Sequence, residues 1–531
     1  MKSEFIKASI LVSPWLLTNC HNTGSDMKNS DRPNILVVMG DDISFPHMGA
    51  YGTKWVKPPG FDRVASEGIL FRNAYTPNAK SSPSRACFLT GLNSWQLEEA
   101  GNHVPFFPAK FKSFIEALGE NGYFTGYTAK GWAPGIANDT LGNPRFLTGK
   151  PFNSKKLTPP ASGISDIDYA ANFEDFLNSK EADAPFCFWY GSQEPHRSYE
   201  YGTGVSRGGK HPADINSVPA FWPDDDIVRN DMLDYAFEIE HFDSHLVKMI
   251  EILEKRGELK NTIIIVTADN GMPFPRIKGQ AYEYSNHMPL AIMWKNGINY
   301  SGREVYDFIS FIDFAPTLFE LAGIAPEESG MHQMQGKSFS DIFKKRQNGY
   351  VNKKRDYVLV GKERHDVGRP DDEGYPVRGI IKGGFLYLKN YQHERWPSGN
   401  PETGYLNTDG SPTKTLILTL RRTGASADYW KRCFGKREDD ELYNIGSDPE
   451  CMINLANDPG FSGIKRKLND QLFDELLQQD DPRINGEGDI FDKYPYADSR
   501  TKDFYNRYMK GEIHRNAAGW VDSTDFETEL Y

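Results

Sequence analysis

Three uninterrupted apolar runs constrain this chain more than any other feature: NILVVM at 34–39, FCFWY at 186–190 and TIIIVT at 262–267. Each is short, rich in β-branched or aromatic residues and lacks the alternating polar positions of a half-exposed strand. Such runs belong to strands buried on both faces, as in a parallel sheet covered by helices. Between the second and third runs a helical period extends from Met232 to Leu253. Strands alternating with helices imply an α/β class, doubly wound around a mainly parallel sheet. In that class ligands gather beyond the carboxyl ends of the strands. Each run is followed by a polar cluster: Asp41-Asp42, then Gln193-Glu194-Pro195-His196-Arg197, then Asp269-Asn270-Gly271. The three strand ends are therefore expected to converge on one site.

Beyond about residue 375 the texture changes. Gly379 to Leu388 reads as a hairpin turning at Gly383-Gly384, a helix is expected over 464–478, and the tail is rich in Pro, Gly and Tyr. The expected organisation is a leader and linker over 1–30 and a catalytic domain over 31–375. A smaller C-terminal α+β subdomain with an antiparallel sheet then occupies 376–531. The 531 residues, 38% of them hydrophobic, supply a core for one large or two unequal domains. A net charge of −12 removes nucleic acid from the expected partners. No apolar run reaches the roughly 18 residues of a spanning helix.

Lys2 and Lys7 precede the short apolar stretch Ile10–Leu17, which exits through Thr18-Asn19-Cys20. That is the pattern of a secretory signal. Cys20 resembles the lipid-attachment cysteine of a bacterial lipoprotein, the alternative being a plain signal peptide cut nearby. Export is expected either way, to a periplasm or to a membrane reached through the lipid alone. The five cysteines show no C-x-x-C spacing, which leaves no zinc or redox motif. Cys187 lies inside an apolar run and reads as a core thiol.

Asp41, Asp42, Asp269 and Asn270 offer only hard oxygen donors, a set suited to Ca²⁺ or Mg²⁺ rather than zinc. Taken singly, each pair also reads as a helix cap or a turn. Ser81-x-Pro83-Ser84-Arg85, followed by Leu89-Thr90-Gly91, resembles the signature of the type I sulfatases, the formylglycine-dependent branch of the alkaline phosphatase superfamily. Asn34 to Asp42 resembles that family's opening strand and metal aspartates, Thr267 to Gly271 its second metal motif, and Glu194-Pro195-His196 its active-site histidine segment. Glu441-Leu442-Tyr443-Asn444, with Asp448-Pro449 and Asn454-Leu455, resembles a late family motif. The likeness runs from about residue 31 to 480.

The resemblance implies that Ser81 is oxidised to formylglycine after translation by a serine-type anaerobic sulfatase-maturating enzyme. It implies a metal, Ca²⁺ ahead of Mg²⁺, held by Asp41, Asp42, Asp269, Asn270 and the residue at 81. Arg85 would fix the formylglycine hydroxyl and balance the carboxylates. Lys130 and Lys278 would grip sulfate, and His196 would protonate the leaving group. One position departs: Trp132 stands where many members carry a histidine, leaving His47, His241, His287 and His365 as replacements. Asp269 to Pro275, Glu194 to Arg197 and the stretch holding Arg364-His365 and Gly374 to Arg378 look most like the heparan N-sulfatase (N-sulfoglucosamine sulfohydrolase) group. The implied substrate is a sulfated carbohydrate of the glucosamine or N-acetylglucosamine type, N- or O-sulfated and attacked at a chain end. His365, Asp366, Arg378, Trp132 and Arg197 are the candidate sugar contacts. The competing readings are an O-sulfatase on another polysaccharide, a phosphodiesterase or phosphonate hydrolase of the same superfamily, and a non-enzymatic glycan-binding lipoprotein.

Overall fold

A computed structural model describes residues 32–527; Cys20 and the leader lie outside the described residues. An eight-stranded sheet runs in the spatial order Arg303–Ser310, Ile69–Tyr75, His287–Met293, Thr262–Ala268, Asn34–Gly40, Phe186–Gly191, Phe124–Ala129 and Lys150–Pro151. All pairings are parallel except the two made by His287–Met293. The three apolar runs of the sequence form its centre, with every residue of those strands buried. Fully burying one Val, Ile or Phe side chain is worth about 1.5–3 kcal/mol, so these strands hold their positions firmly.

Register turns that burial into function. Met39 pairs with Gly191 and Gly40 with Ala268, so the three central strands end at one level. Asp41, the Gln193–Arg197 segment and Asp269 consequently leave the sheet together. The helical period of the sequence is the 30-residue helix Asp226–Lys255, which buries Ile239, Leu246, Met249 and Leu253 and is capped by the Asp225 side chain.

The helix Ser81–Thr90 is buried at all ten positions. It starts at Ser81 itself, two residues before Pro83. Gly91 ends it at φ 70°, where any side chain would meet left-handed backbone strain.

A second, antiparallel sheet is ordered Tyr357–Lys362, Val377–Lys382, Phe385–Asn390 and Asp440–Asn444. Gly383 and Gly384 form its hairpin turn with φ of 60° and 78°, the twofold positive φ that a two-residue turn demands. Its first strand starts at Tyr357, ahead of residue 375. The helix Ser462–Gln478 lays Leu468, Leu472 and Leu476 against Ile380 and Leu442 of this sheet. No helix among the described residues is long and apolar enough to cross a membrane.

Candidate active site

Beyond the carboxyl ends of the central strands lies a cavity of about 830 Å³. Asp41, Ser81, Lys130, His196 and Lys278 all line it. Ser81 is the first residue of the buried helix, where unpaired backbone N–H groups and the positive end of the helix dipole favour an anion. Its Oγ donates to Asp41 Oδ1 at 3.1 Å and accepts from Lys130 Nζ at 3.1 Å. Lys130 Nζ also donates to Asp41 Oδ2 at 2.6 Å.

Arg85 sits one helical turn on, with no exposure. Its donors go to Asp269 Oδ2 at 2.9 Å, Asp41 Oδ1 at 3.5 Å and the carbonyls of Lys130 and Gly131. The arginine therefore balances buried carboxylates and ties the Lys130 loop to the helix. Burial alone would raise the Asp41 carboxyl; the Lys130 ammonium, with Arg85 and His196, holds it well below the usual carboxylate range.

Asp41, Asp42 and Asp269 bring carboxylate oxygens within 4.8 Å of one another. Asn270 turns its Nδ2 to Asp42 Oδ1 at 2.6 Å, and its buried Oδ1 has no hydrogen-bond partner. An orphaned carbonyl oxygen beside three buried carboxylates fits a hard divalent cation. Asp42 takes a φ of 78°, and Ala129 and Arg276, which flank the lysine segments, take 59° and 71°. Non-glycine residues in that region cost about 1–3 kcal/mol each, and three of the eleven among the described residues lie in the segments that carry this site.

Lys278 is fully buried and donates to Asp42 Oδ2 and Asp409 Oδ2, both at 2.7 Å. Burial would strip its proton, but Asp409, Asp42 and Asp41 keep the amine charged far up the scale. Asp409 itself is held low against burial by Lys278, with help from His196. His196 points Nδ1 at the Arg197 carbonyl, 2.7 Å away. Nδ1 thus carries the proton, leaving Nε2 as the working nitrogen.

The candidate sugar contacts divide. Trp132, Asp366 and Arg197 line the cavity. Arg197 is clamped by a bidentate pair with Asp231 at 2.7 and 2.8 Å, and Trp132 donates its indole N–H to the Ser82 carbonyl at 3.1 Å. His365 and Arg378 are corrections: neither lines the cavity. His365 is fully buried and bonded through Nε2 to Asn78 at 2.6 Å. Arg378 is fully buried between Asp481 and Glu363 and holds the small sheet to its neighbours.

None of the four histidines offered in place of Trp132 lines the cavity. His47 meets the Tyr235 hydroxyl, His287 meets Glu283, and His241 packs edge-on against His245. Besides His196, the imidazole that lines it is His103. Sequence reasoning also passed over Lys80, Asp409 and Trp520, all cavity residues. They sit in loops without periodicity; the one available signal was the tryptophan at 132, which called for an imidazole from elsewhere. Tyr496 and Trp520 come from the aromatic tail, which folds back over the cavity.

A family model described as "Sulfatase" matches residues 33–324, more than half of the chain. The chain is 26% identical over 483 residues to an ulvan-active sulfatase of Formosa agariphila, covering 84% of this chain and 75% of that one. It is 26% identical over 483 residues to the human N-sulphoglucosamine sulphohydrolase, covering 85% and 91%. A solved structure of a protein in complex with its substrate D-glucosamine-2-N, 6-O-disulfate superposes with a TM-score of 0.60 at 19% identity, over 85% of this chain and 98% of that one.

Proposed function

This chain belongs to the sulfatase family, and on that premise we propose that it removes sulfate from glucosamine-type sugars of sulfated glycans, using a formylglycine made from Ser81. The observation that carries the reading is Ser81 Oγ, held between Asp41 and Lys130 at the head of a buried helix on the cavity wall. The glucosamine assignment rests on the relatives: a human N-sulphoglucosamine sulphohydrolase and a Bacteroides thetaiotaomicron N-acetylglucosamine-6-O-sulfatase share about a quarter of their aligned residues with this chain.

A sulfate monoester brings one negative charge spread over three oxygens, and more charge develops on the leaving oxygen during cleavage. Lys130 and Lys278 supply preorganised positive charge for the sulfate oxygens. Asp41 orients the residue-81 hydroxyl by accepting its hydrogen bond at 3.1 Å. His196, its Nδ1 proton committed to the Arg197 carbonyl, presents Nε2, which carries a proton to the leaving oxygen. Asp41, Asp42, Asp269, Asn270 and residue 81 would hold Ca²⁺, whose bound form supplies Lewis-acid polarisation of sulfate oxygens. Hydrated formylglycine supplies two hydroxyls on one carbon, one for attack on sulfur and the other for expelling sulfate afterwards.

Mass spectrometry of the peptide containing Ser81, from a host with a serine-type maturating enzyme, should show conversion to formylglycine. Sulfate release from a panel of N-, 3-O- and 6-O-sulfated glucosamines should show turnover. Active protein with unmodified Ser81 rules out the formylglycine route. Turnover confined to sugars other than glucosamine rules out the substrate.

A further inference from the structure

We propose that His103 reads the sugar beside the sulfate, its Nε2 accepting a hydrogen bond from a hydroxyl or amine of the ring that carries the ester. This rests on the reading above that the substrate is a sulfated sugar. Two imidazoles line the cavity, His196 and His103. His196 belongs to the carboxylate side, with ligand atoms within 4.8 Å of Asp42 and Asp409. His103 lines the same cavity together with Val104, Trp132 and Tyr496, and bonds Asp366 instead.

Its ring is fixed by a buried chain of charges. His103 Nδ1 lies 2.9 Å from Asp366 Oδ1, and Asp366 Oδ2 lies 2.7 Å from Lys80 Nζ. The Lys80 ammonium already neutralises that carboxylate, so the imidazole is not needed as a cation. Burial, outweighing Asp366 and joined by the Lys80 and Lys130 ammoniums, lowers the proton affinity of the ring. The neutral ring donates Nδ1–H to Asp366 and keeps a lone pair on Nε2, for which no described residue provides a partner.

A lone pair cannot bind sulfate oxygens, which are acceptors only. Its partner must be an O–H or N–H donor, and on a sulfated sugar those belong to the ring. Trp132 and Tyr496 line the same cavity, and aromatic rings suit the C–H surface of a pyranose, while sulfate has its own cations in Lys130 and Lys278. Asp366 is then a positioning residue that sets the tautomer of His103.

The test uses the full chain carrying Ser81→Ala, which binds without turnover, titrated calorimetrically with inorganic sulfate and with glucosamine 6-sulfate. Adding His103→Ala should leave the sulfate Kd unchanged and weaken the sugar about tenfold, the worth of one such hydrogen bond. His103→Gln, which keeps an acceptor oxygen, should recover part of the loss. His103→Leu, close in volume and without an acceptor, should repeat the loss if the alanine variant does not fold. Unchanged sugar binding in both the alanine and leucine variants overturns the role of His103 alone. Equal loss of both probes overturns it too, by assigning His103 to sulfate or to folding. A parent protein that binds sulfate but not the sugar overturns the glucosamine reading and His103 with it; one that binds neither overturns the proposed function as a whole.

Discussion

At Ser81 three kinds of group meet one hydroxyl: a carboxylate that accepts its hydrogen bond, an ammonium that donates to it, and the head of a buried helix. Lys130→Ala removes the ammonium that both touches Ser81 and neutralises Asp41. Losing one preorganised electrostatic contact of this kind costs about 10²–10³ in kcat. Sulfate-release kinetics on the best panel substrate should show that drop, with Tm changed less than in Arg85→Ala. In the arginine variant Asp41 and Asp269 lose a buried counter-charge, which costs about 3–5 kcal/mol. Metal removal belongs to the same scale. Dialysis against a chelator should abolish turnover and lower Tm, and Ca²⁺ should restore both. Saturation at about a hundred times Kd adds about 2.7 kcal/mol to stability. A chelated protein with unaltered Tm and activity would remove the cation from the account.

At the scale of elements, the helix Pro59–Glu67 shows how a local signal is completed from far away. Its N-terminus has no side-chain cap of its own. Asp243, in the middle of the helix Asp226–Lys255, accepts from Gly60 N and Phe61 N, both at 2.7 Å. Burial drives the Asp243 carboxyl up to about 7, against the pull of those two N–H groups. A folded-state pKa above the unfolded value means that the contribution is full below the unfolded pKa and declines as pH rises through about 7. Calorimetry of wild type against Asp243→Asn should show the wild-type advantage shrinking from pH 5 to pH 8. Asp243→Ala should lose about 1 kcal/mol or more as the cap disappears. A Tm difference flat across that range would contradict the buried, protonatable cap.

At the scale of the whole molecule, distant segments close the site. Asp409 reaches Lys278 across 131 residues of chain, and Asp366 reaches His103 across 263. Tyr496 and Trp520 arrive from the tail, whose Asp525 and Glu527 are anchored to Lys414, Arg421 and Arg422. Removing the chain from Tyr494 onward takes away those anchors and one wall of the cavity. The truncated protein should show a lower Tm and a raised KM for sulfated sugar. Arg378→Ala gives the contrasting result. It strands Asp481 and Glu363 without their buried partner, so its loss of about 3–5 kcal/mol should appear in unfolding rather than in KM.

The sequence by itself determined the centre of this protein, because burial on both faces leaves a short, unbroken apolar run rich in β-branched and aromatic residues. Since ligands collect at the ends of such strands, Asp41, Asp42, Asp269 and Asn270 were legible as one oxygen-rich cluster before any coordinate. The motif at 81–91 was legible through its resemblance to the sulfatase signature. Only the tertiary structure decided the walls. His103, Lys80 and Asp409 lie in loops where no period marks which side chain faces inward, and their partners are set by how the two sheets and the tail pack. For the same reason His365 and Arg378, polar in sequence, proved to be buried and paired. A charged letter states a need for a counter-charge, and packing alone decides whether protein or substrate supplies it.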